Sequence, residues 1–452
     1  MKKLFNDKKF LSTMLALALP ITVQTFITSS LNLIDNVMVG RLGETAIASV
    51  GLANQYMFVF TLCMFGINSG ASIFMSQFWG KKDLKSIKTF LGIDISVGLL
   101  ASIIFGLGAF VFPKQIMSIF SNDTAVISAG VEYLKIVAIS CLFVNFTQGY
   151  SSALRSTGQV KLPMYASLIG VGCNAVLNWI FIFGKFGVPA MGVNGAALAT
   201  TIARLIEMIF IISAVYLKNN IVAAKIKEIM NFNLGNIKTY FVTSWSVIVN
   251  ELIFSLGMST YAVAYAKIGT NAVATMQIAN TLNNMFLVLL SAMASAASII
   301  IGNNIGANKE DTAREYSFNI AKLSLIIGFI LCIIVWITAP IVLKPFSVTQ
   351  ETYFDTIKIL RIMAIFFTLR SYNLVMIVGV FRGGGDTTYA MALQGCTIWF
   401  YSVPLAFIGA MVFKLPVEGV FFLISTEEVI KAFLQSRRLK SGKWLRNVIN
   451  NI

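Results

Sequence analysis

Long apolar runs separated by short polar loops set the pattern of this chain. Runs long enough to cross a hydrocarbon core of about 30 Å can be marked at 11–38, 47–78, 89–112, 130–153, 163–183 and 192–217, then at 240–265, 272–301, 317–341, 356–381, 387–412 and 417–436. They predict about twelve transmembrane helices in an all-α integral membrane protein. Barrel strands would be shorter and would alternate polar with apolar residues, which these runs do not. In 113–129, Ile116, Met117, Ile119 and Phe120 recur at helical spacing and predict a short interfacial helix.

The pattern also repeats. Gly43-Glu44-Thr45-Ala46-Ile47-Ala48 with Ala53-Asn54 returns as Gly269-Thr270-Asn271-Ala272-Val273-Ala274 with Ala279-Asn280, a shift of about 226 residues. Ala71-Ser72-Ile73 recurs as Ala297-Ser298-Ile299. Leu154-Arg155-Ser156-Thr157-Gly158 recurs one residue later as Phe381-Arg382-Gly383-Gly384-Gly385. Six helices per half is an even number, so both halves enter the membrane with one orientation and form parallel-repeat six-helix lobes. In a membrane chain, two such halves are the usual skeleton of a secondary transporter. The predicted division is 1–217 for the first lobe, 218–239 for a polar, basic cytoplasmic linker, and 240–452 for the second lobe with its basic tail.

Composition agrees with a polytopic membrane protein: 57% of residues are hydrophobic and only 12% charged, with a mean hydropathy of +0.79. The net charge of +16 would fit a nucleic-acid partner, but its distribution points to the bilayer. With loops assigned alternately, about 23 Lys and Arg lie on the side of the N-terminus and about 8 on the other, the bias that keeps basic loops inside. Lys2, Lys3, Lys8 and Lys9, the 81–88 and 218–238 clusters and the tail Arg437, Arg438, Lys440, Lys443 and Arg446 dominate that count. Both termini are therefore expected in the cytoplasm. The basic start followed by an apolar stretch imitates a signal peptide, but the stretch is too long and is read as the first helix.

With no His and five isolated Cys, no ligand set for zinc or haem and no catalytic nucleophile with its base stands out, so a membrane-embedded enzyme is a remote alternative. Gly383-Gly384-Gly385 lacks the Lys-Ser/Thr of a phosphate-binding loop and reads as a tight cytoplasmic turn.

Ionisable side chains at membrane depth cost at least about 2.5–3.5 kcal/mol on insertion scales, so each needs a partner, a cavity or a function. Asp35 lies late in the first helix, with Asn32 and Thr28 on its face, and Pro20 lies about 22 Å below it along the axis. A proline there frees a backbone carbonyl and permits a hinge. Alternatively, Asp35 is solvated near the helix end. Asn174 and Asn178 share a face of the fifth helix at i,i+4, and Thr200 lies in the sixth. With Asp35 they could form an oxygen-rich pocket for a proton, a sodium ion or an ammonium group, although hydrogen bonding between helices explains the asparagines equally well. Glu251, beside Asn250 in the seventh helix, could exchange protons or serve as a static hydrogen-bonded acid. Arg204 and Glu207 read as an i,i+3 ion pair. Arg370, with Asn373, lies within the tenth helix and would pair with Glu251 or orient cargo.

Pro20 followed by Asp35-Asn36-Val37-Met38-Val39-Gly40, Gly195-Ala196-Ala197-Leu198-Ala199-Thr200, Asn250-Glu251, and the paired turns at Leu154-Arg155 and Phe381-Arg382 resemble the multidrug and toxic compound extrusion (MATE) family. The resemblance spans nearly the whole chain. It implies two six-helix lobes around a central cleft, residence in a bacterial cytoplasmic membrane, and export of varied, often cationic amphiphilic organic compounds in exchange for protons or sodium, with no other cofactor. Asp35, Asn174, Thr200 and Glu251 are similar to the family's ion-coupling positions, and a sodium ion would be held by Asp35, Asn174 and Thr200. Asn178 replaces an acid found in many members, and Arg370-Ser371-Tyr372-Asn373 stands where some carry an aspartate. These departures favour proton coupling through Asp35, with Glu251 assisting. The chain is expected to act as a monomer. A lipid-linked oligosaccharide flippase of the same superfamily is the alternative if Arg204 and Arg370 line the cleft to hold pyrophosphate.

Overall fold

The computed structural model of the chain describes residues 7–343 and 350–450. Lys2, Lys3 and the side chain of Asn32 lie outside the described residues and side chains. The described residues fold into helices, with no strand among them. The first half contains α1 (Lys8–Gly40), α2 (Glu44–Lys81), α3 (Leu84–Val111), α4 (Thr124–Ala138 and Ser140–Ser156), α5 (Lys161–Phe183) and α6 (Gly192–Leu217). The second contains α7 (Leu234–Ile268), α8 (Thr270–Gly306), α9 (Glu310–Val342), α10 (Gln350–Leu374, continued by the π-helical turn Val375–Phe381), α11 (387–412) and α12 (Val417–Ser425 and Glu427–Ser441).

Among the described residues, ten helices are long and apolar enough to cross a membrane, and α4 makes an eleventh if its two parts, bent by 44°, count as one span. The broken α12 carries Glu427, Glu428 and Lys431 near its break and is not among them. Large apolar side chains such as Leu100, Ile104, Phe329 and Ile337 stay exposed, as expected where lipid replaces water around the helices.

Local chemistry sets the helix ends. Asp83 caps α3 through the Ser86 amide at 3.1 Å, and Asp123 caps α4 through the Ala125 amide at 2.8 Å. The 113–129 stretch contains a short helix, Pro113–Phe120, with proline in its first turn, where the missing N–H costs nothing. The loops of 154–159 and 381–386 have matching hydrogen bonds. Gly158 and Gly385 donate to the carbonyls of Arg155 and Arg382, both at 2.9 Å, while Gln159 and Asp386 donate to Leu154 and Phe381, both at 2.8 Å. The glycines sit at φ +81° and +80°, where a side chain would be strained.

Contacts divide the described residues into two units, Val23–Ser244 and 7–22 together with 245–450. Each half's first helix is thus shared. Helix α1 changes unit two residues beyond Pro20, and α7 changes between Ser244 and Trp245.

Within the first unit, Val50, Ala53, Leu134 and Ala197 belong to one buried cluster. The 218–233 linker carries a single helical turn, Ile226–Ile229, packed so tightly on α3 that a β-carbon at Gly92 would lie 1.8 Å from the Ile229 carbonyl oxygen. Lys88 of α3 and Glu228 form a salt bridge of 3.1 Å beside it. The start of α7 is held to α2 by the Tyr240 hydroxyl, which donates to the Ile67 carbonyl at 3.0 Å.

Within the second unit, Ala279, Ile359, Leu360 and Val420 belong to one buried cluster. The chain after α12 folds back on the glycine turn. The buried Trp444 donates its indole N–H to Leu439 at 3.1 Å, and the Arg446 amide donates to the Gly384 carbonyl at 2.8 Å.

Candidate functional site

In the first unit, α1, α5 and α6 bring Asp35, Asn178, Asn174 and Thr200 into one chain of hydrogen bonds. Asn178 Nδ2 donates to Asp35 Oδ1 at 2.5 Å and to Asn174 Oδ1 at 2.8 Å, and Asn174 Nδ2 donates to Thr200 Oγ1 at 3.3 Å. The i,i+4 spacing places both amides on one face of α5, and both are buried. Among the described residues, Asn178 Oδ1 has no hydrogen-bond donor. Asp35 is half-buried, with Tyr133 of α4 and Arg204 of α6 within its electrostatic reach.

A second polar chain joins the same three helices. Gln24 donates to Ser167 at 2.9 Å, Ser167 donates to Glu207 at 3.0 Å, and Arg204 pairs with Glu207 at 2.8 Å. Arg204 and Glu207 thus form the i,i+3 ion pair within α6 that the sequence predicted.

The second unit places Glu251 differently from the sequence expectation. It is not an unpaired acid, and its partner is not Arg370: the buried Arg382, at the end of the π-helical turn of α10, pairs with it through Nη2. This ion pair occupies the carboxylate that was expected to assist proton exchange. Beside it lies a cavity of about 240 Å³, lined among others by Glu251, Arg370, Arg382, Glu427, Glu428 and Lys431. Asn373 also lines it and donates to Glu428 Oε2 at 2.6 Å. Glu427 accepts from Lys431 at 2.9 Å and from Ser402 at 2.5 Å.

Arg382, Glu427, Glu428 and Lys431 were not read as site residues from the sequence, nor was Asp94 of α3. The i,i+4 spacing of Glu427 and Lys431 inside an apolar run was the available signal. Asp94 interrupts Leu91-Gly92-Ile93 and Ile95 in the same way. It is buried in the first unit, and neither carboxyl oxygen has a hydrogen-bond partner among the described residues.

A family model, MatE, matches residues 20–180 and 246–408, one segment in each half. The chain belongs to the MatE family. Its members are transporters and not enzymes, so this is a multi-pass membrane transporter. Among its relatives, "Probable multidrug resistance protein YoeA" of Bacillus subtilis is 26% identical over 417 residues, covering 89% of this chain and 87% of that protein. "Probable multidrug resistance protein NorM" of Thermotoga maritima is 21% identical, covering 96% and 93%. The solved structure described as "Crystal structure of MATE in the bent conformation" has a TM-score of 0.87 at 20% identity, covering 96% of each chain. "Outward-facing conformation of a multidrug resistance MATE family transporter of the MOP superfamily" has a TM-score of 0.86 at 20% identity, covering 95% and 96%. At that identity the solved structures establish the shared MatE fold, two homologous six-helix halves.

Proposed function

We propose that this MatE-family chain is a secondary active antiporter that exports organic compounds, chiefly cationic amphiphiles, in exchange for protons by alternating access, with Asp35 as the coupling carboxylate. The hydrogen bond from Asn178 to Asp35 carries this reading. An ionised Asp35 accepts the Asn178 amide N–H, whereas a protonated Asp35 has an O–H to donate. The acceptor for that proton is Asn178 Oδ1, which has no donor among the described residues. Turning the amide to receive it removes an N–H from Asn174 as well, so one proton rewires the α1–α5 seam. Pro20 is the hinge through which α1 responds. Binding alone cannot pump: the ion must favour one conformation over the other, and cargo must favour the opposite one. A sodium ion at Asp35, Asn174 and Thr200 would act through the same seam, but the second acid of a high-coordination site is replaced by Asn178.

Multidrug resistance in the names of the relatives supports small organic cargo, and the excess of basic residues supports cytoplasmic termini in a bacterial cell membrane. The protein acts as a monomer in this reading. The test is dye efflux from proteoliposomes under an imposed pH or sodium gradient. Wild-type protein should respond to the pH gradient, and Asp35→Asn should insert and fold but lose gradient-driven efflux. Efflux that follows sodium alone, or survives in Asp35→Asn, would overturn the proposal.

A further inference from the structure

Six side chains of the Glu, Arg and Lys types contribute to the wall of the second unit's cavity, three acids and three bases, so net charge does not decide what it binds. The hydrogen-bonding groups left over do. Each carboxylate already has donors: Glu251 from Arg382, Glu427 from Lys431 and Ser402, and Glu428 from Asn373. On the basic side, Lys431 is paired with Glu427, and Arg382 uses Nη2 on Glu251. Arg382 Nη1 has no acceptor among the described residues, although the residue is only 3% exposed. Arg370, which also lines the cavity, forms no ion pair or side-chain hydrogen bond with the described residues.

The cavity therefore presents unused guanidinium donors, and the acceptor left over beside them, Asn373 Oδ1, is a neutral amide oxygen. We infer that it binds an amphiphilic organic anion, a compact apolar or aromatic body bearing one carboxylate or sulfonate that Arg370 and Arg382 Nη1 receive. Guanidinium groups favour such planar oxyanions, which can take two parallel N–H donors at once. Phe254, Met258, Met276 and Phe366 supply the wall for the body, with methionine adapting to varied shapes. A volume of about 240 Å³ suits one or two fused rings and is too small for a whole diacyl lipid. The inference extends the transporter reading, because the anion would be a second class of cargo, but its test requires no transport.

The test is equilibrium binding of naphthoate to the purified full-length protein in phosphatidylcholine nanodiscs, with naphthylmethylammonium as the ring-matched cation. Wild-type protein should bind the acid more tightly than the amine. Arg370→Gln should weaken naphthoate by about tenfold, the loss expected of one charge-assisted hydrogen-bond pair, and Arg370→Lys should recover part of it, which shows that the site is intact. Glu251→Gln, which releases the other arm of Arg382, should tighten naphthoate. Equal naphthoate binding by wild type and Arg370→Gln would overturn the inference, as would tighter binding of the amine. Phosphatidylglycerol nanodiscs test a lipid source for the anion: competition with naphthoate that disappears in Arg370→Gln would assign the site to a lipid phosphate and overturn the soluble-acid reading. Failure here with Asp35-dependent efflux intact leaves the antiport proposal standing, and the converse result leaves this one.

Discussion

Gln159 and Asn220 exchange two side-chain hydrogen bonds, of 2.5 and 3.2 Å, tying the turn after α4 to the segment after α6. One repeat later the same two positions hold Asp386 and Arg446, which form a salt bridge of 3.0 Å between the turn after α10 and the segment after α12. Each half is strapped at corresponding loops, once by neutral amides and once by charge. Asp386 is fully buried and also takes Arg438 at 2.7 Å.

The two straps should differ in strength. Asp386→Asn removes the anion that matches Arg438 and Arg446, and a loss of about 2–3 kcal/mol is expected, below the full penalty of a wholly buried pair because Arg446 is half exposed. Gln159→Ala breaks only neutral hydrogen bonds and should cost about 1 kcal/mol. Thermal unfolding of the two purified variants in one detergent gives the comparison, and a larger fall for Gln159→Ala would contradict the ranking.

Asn178→Leu should hurt coupling more than folding. The substitution removes the donor to Asp35 and to Asn174 and leaves Asn174 Oδ1 unsatisfied, at about 1–3 kcal/mol. Gradient-driven efflux should fall by roughly tenfold or more, in line with a lost charge-assisted hydrogen bond. An efflux rate matching wild type in proteoliposomes of equal protein content would remove Asn178 from the coupling path.

Asp94→Asn should be tolerated or stabilising. Both Asp94 carboxyl oxygens, and Asn145 Oδ1 of α4, are buried without a hydrogen-bond partner among the described residues. Asn145 itself bonds to the Ile95 carbonyl at 3.1 Å. An amide at position 94 keeps nearly the same shape and carries no charge, so stability should be unchanged or higher by about 1 kcal/mol, read as an equal or higher apparent Tm. A marked fall would mean that the carboxyl itself is required there.

Docking of the linker should weaken in acid. The backbone N–H of Lys225 and then the Lys88 ammonium hold the Glu228 carboxyl below its ordinary range. A group depressed in the folded state stabilises it above the unfolded value, near 4.5, and loses that contribution as pH falls through the lower folded value. Hydrogen exchange, corrected for its intrinsic pH dependence, should therefore show residues 225–230 losing protection below the ordinary glutamate range in wild type. Glu228→Gln should show little such change.

Much of the fold could be read in advance because membrane insertion depends on local composition. The run at 89–112 became α3 at Leu84–Val111, and the helical spacing at 113–129 became Pro113–Phe120. The Asn174–Asn178 pair was legible for a similar reason, since an i,i+4 spacing fixes a shared face whatever packs against it. Arg382 was not. A glycine-rich neighbour made it look like part of an exposed turn, whereas the π-helical residues before it, with their wider i→i+5 turn, accompany a buried guanidinium paired with Glu251.

The sequence by itself determined the bilayer as solvent, the number and order of the helices, the doubled architecture and the carboxylate of α1, because hydrophobic length and repeat register are properties of the chain read in one dimension. Only the tertiary structure decided which charges are matched between helices: Glu251 by Arg382, and Arg370 by no acceptor among the described residues. Those pairings depend on how each helix is rotated and how far it slides against its neighbours, and side chains more than a hundred residues apart meet only after that packing is complete.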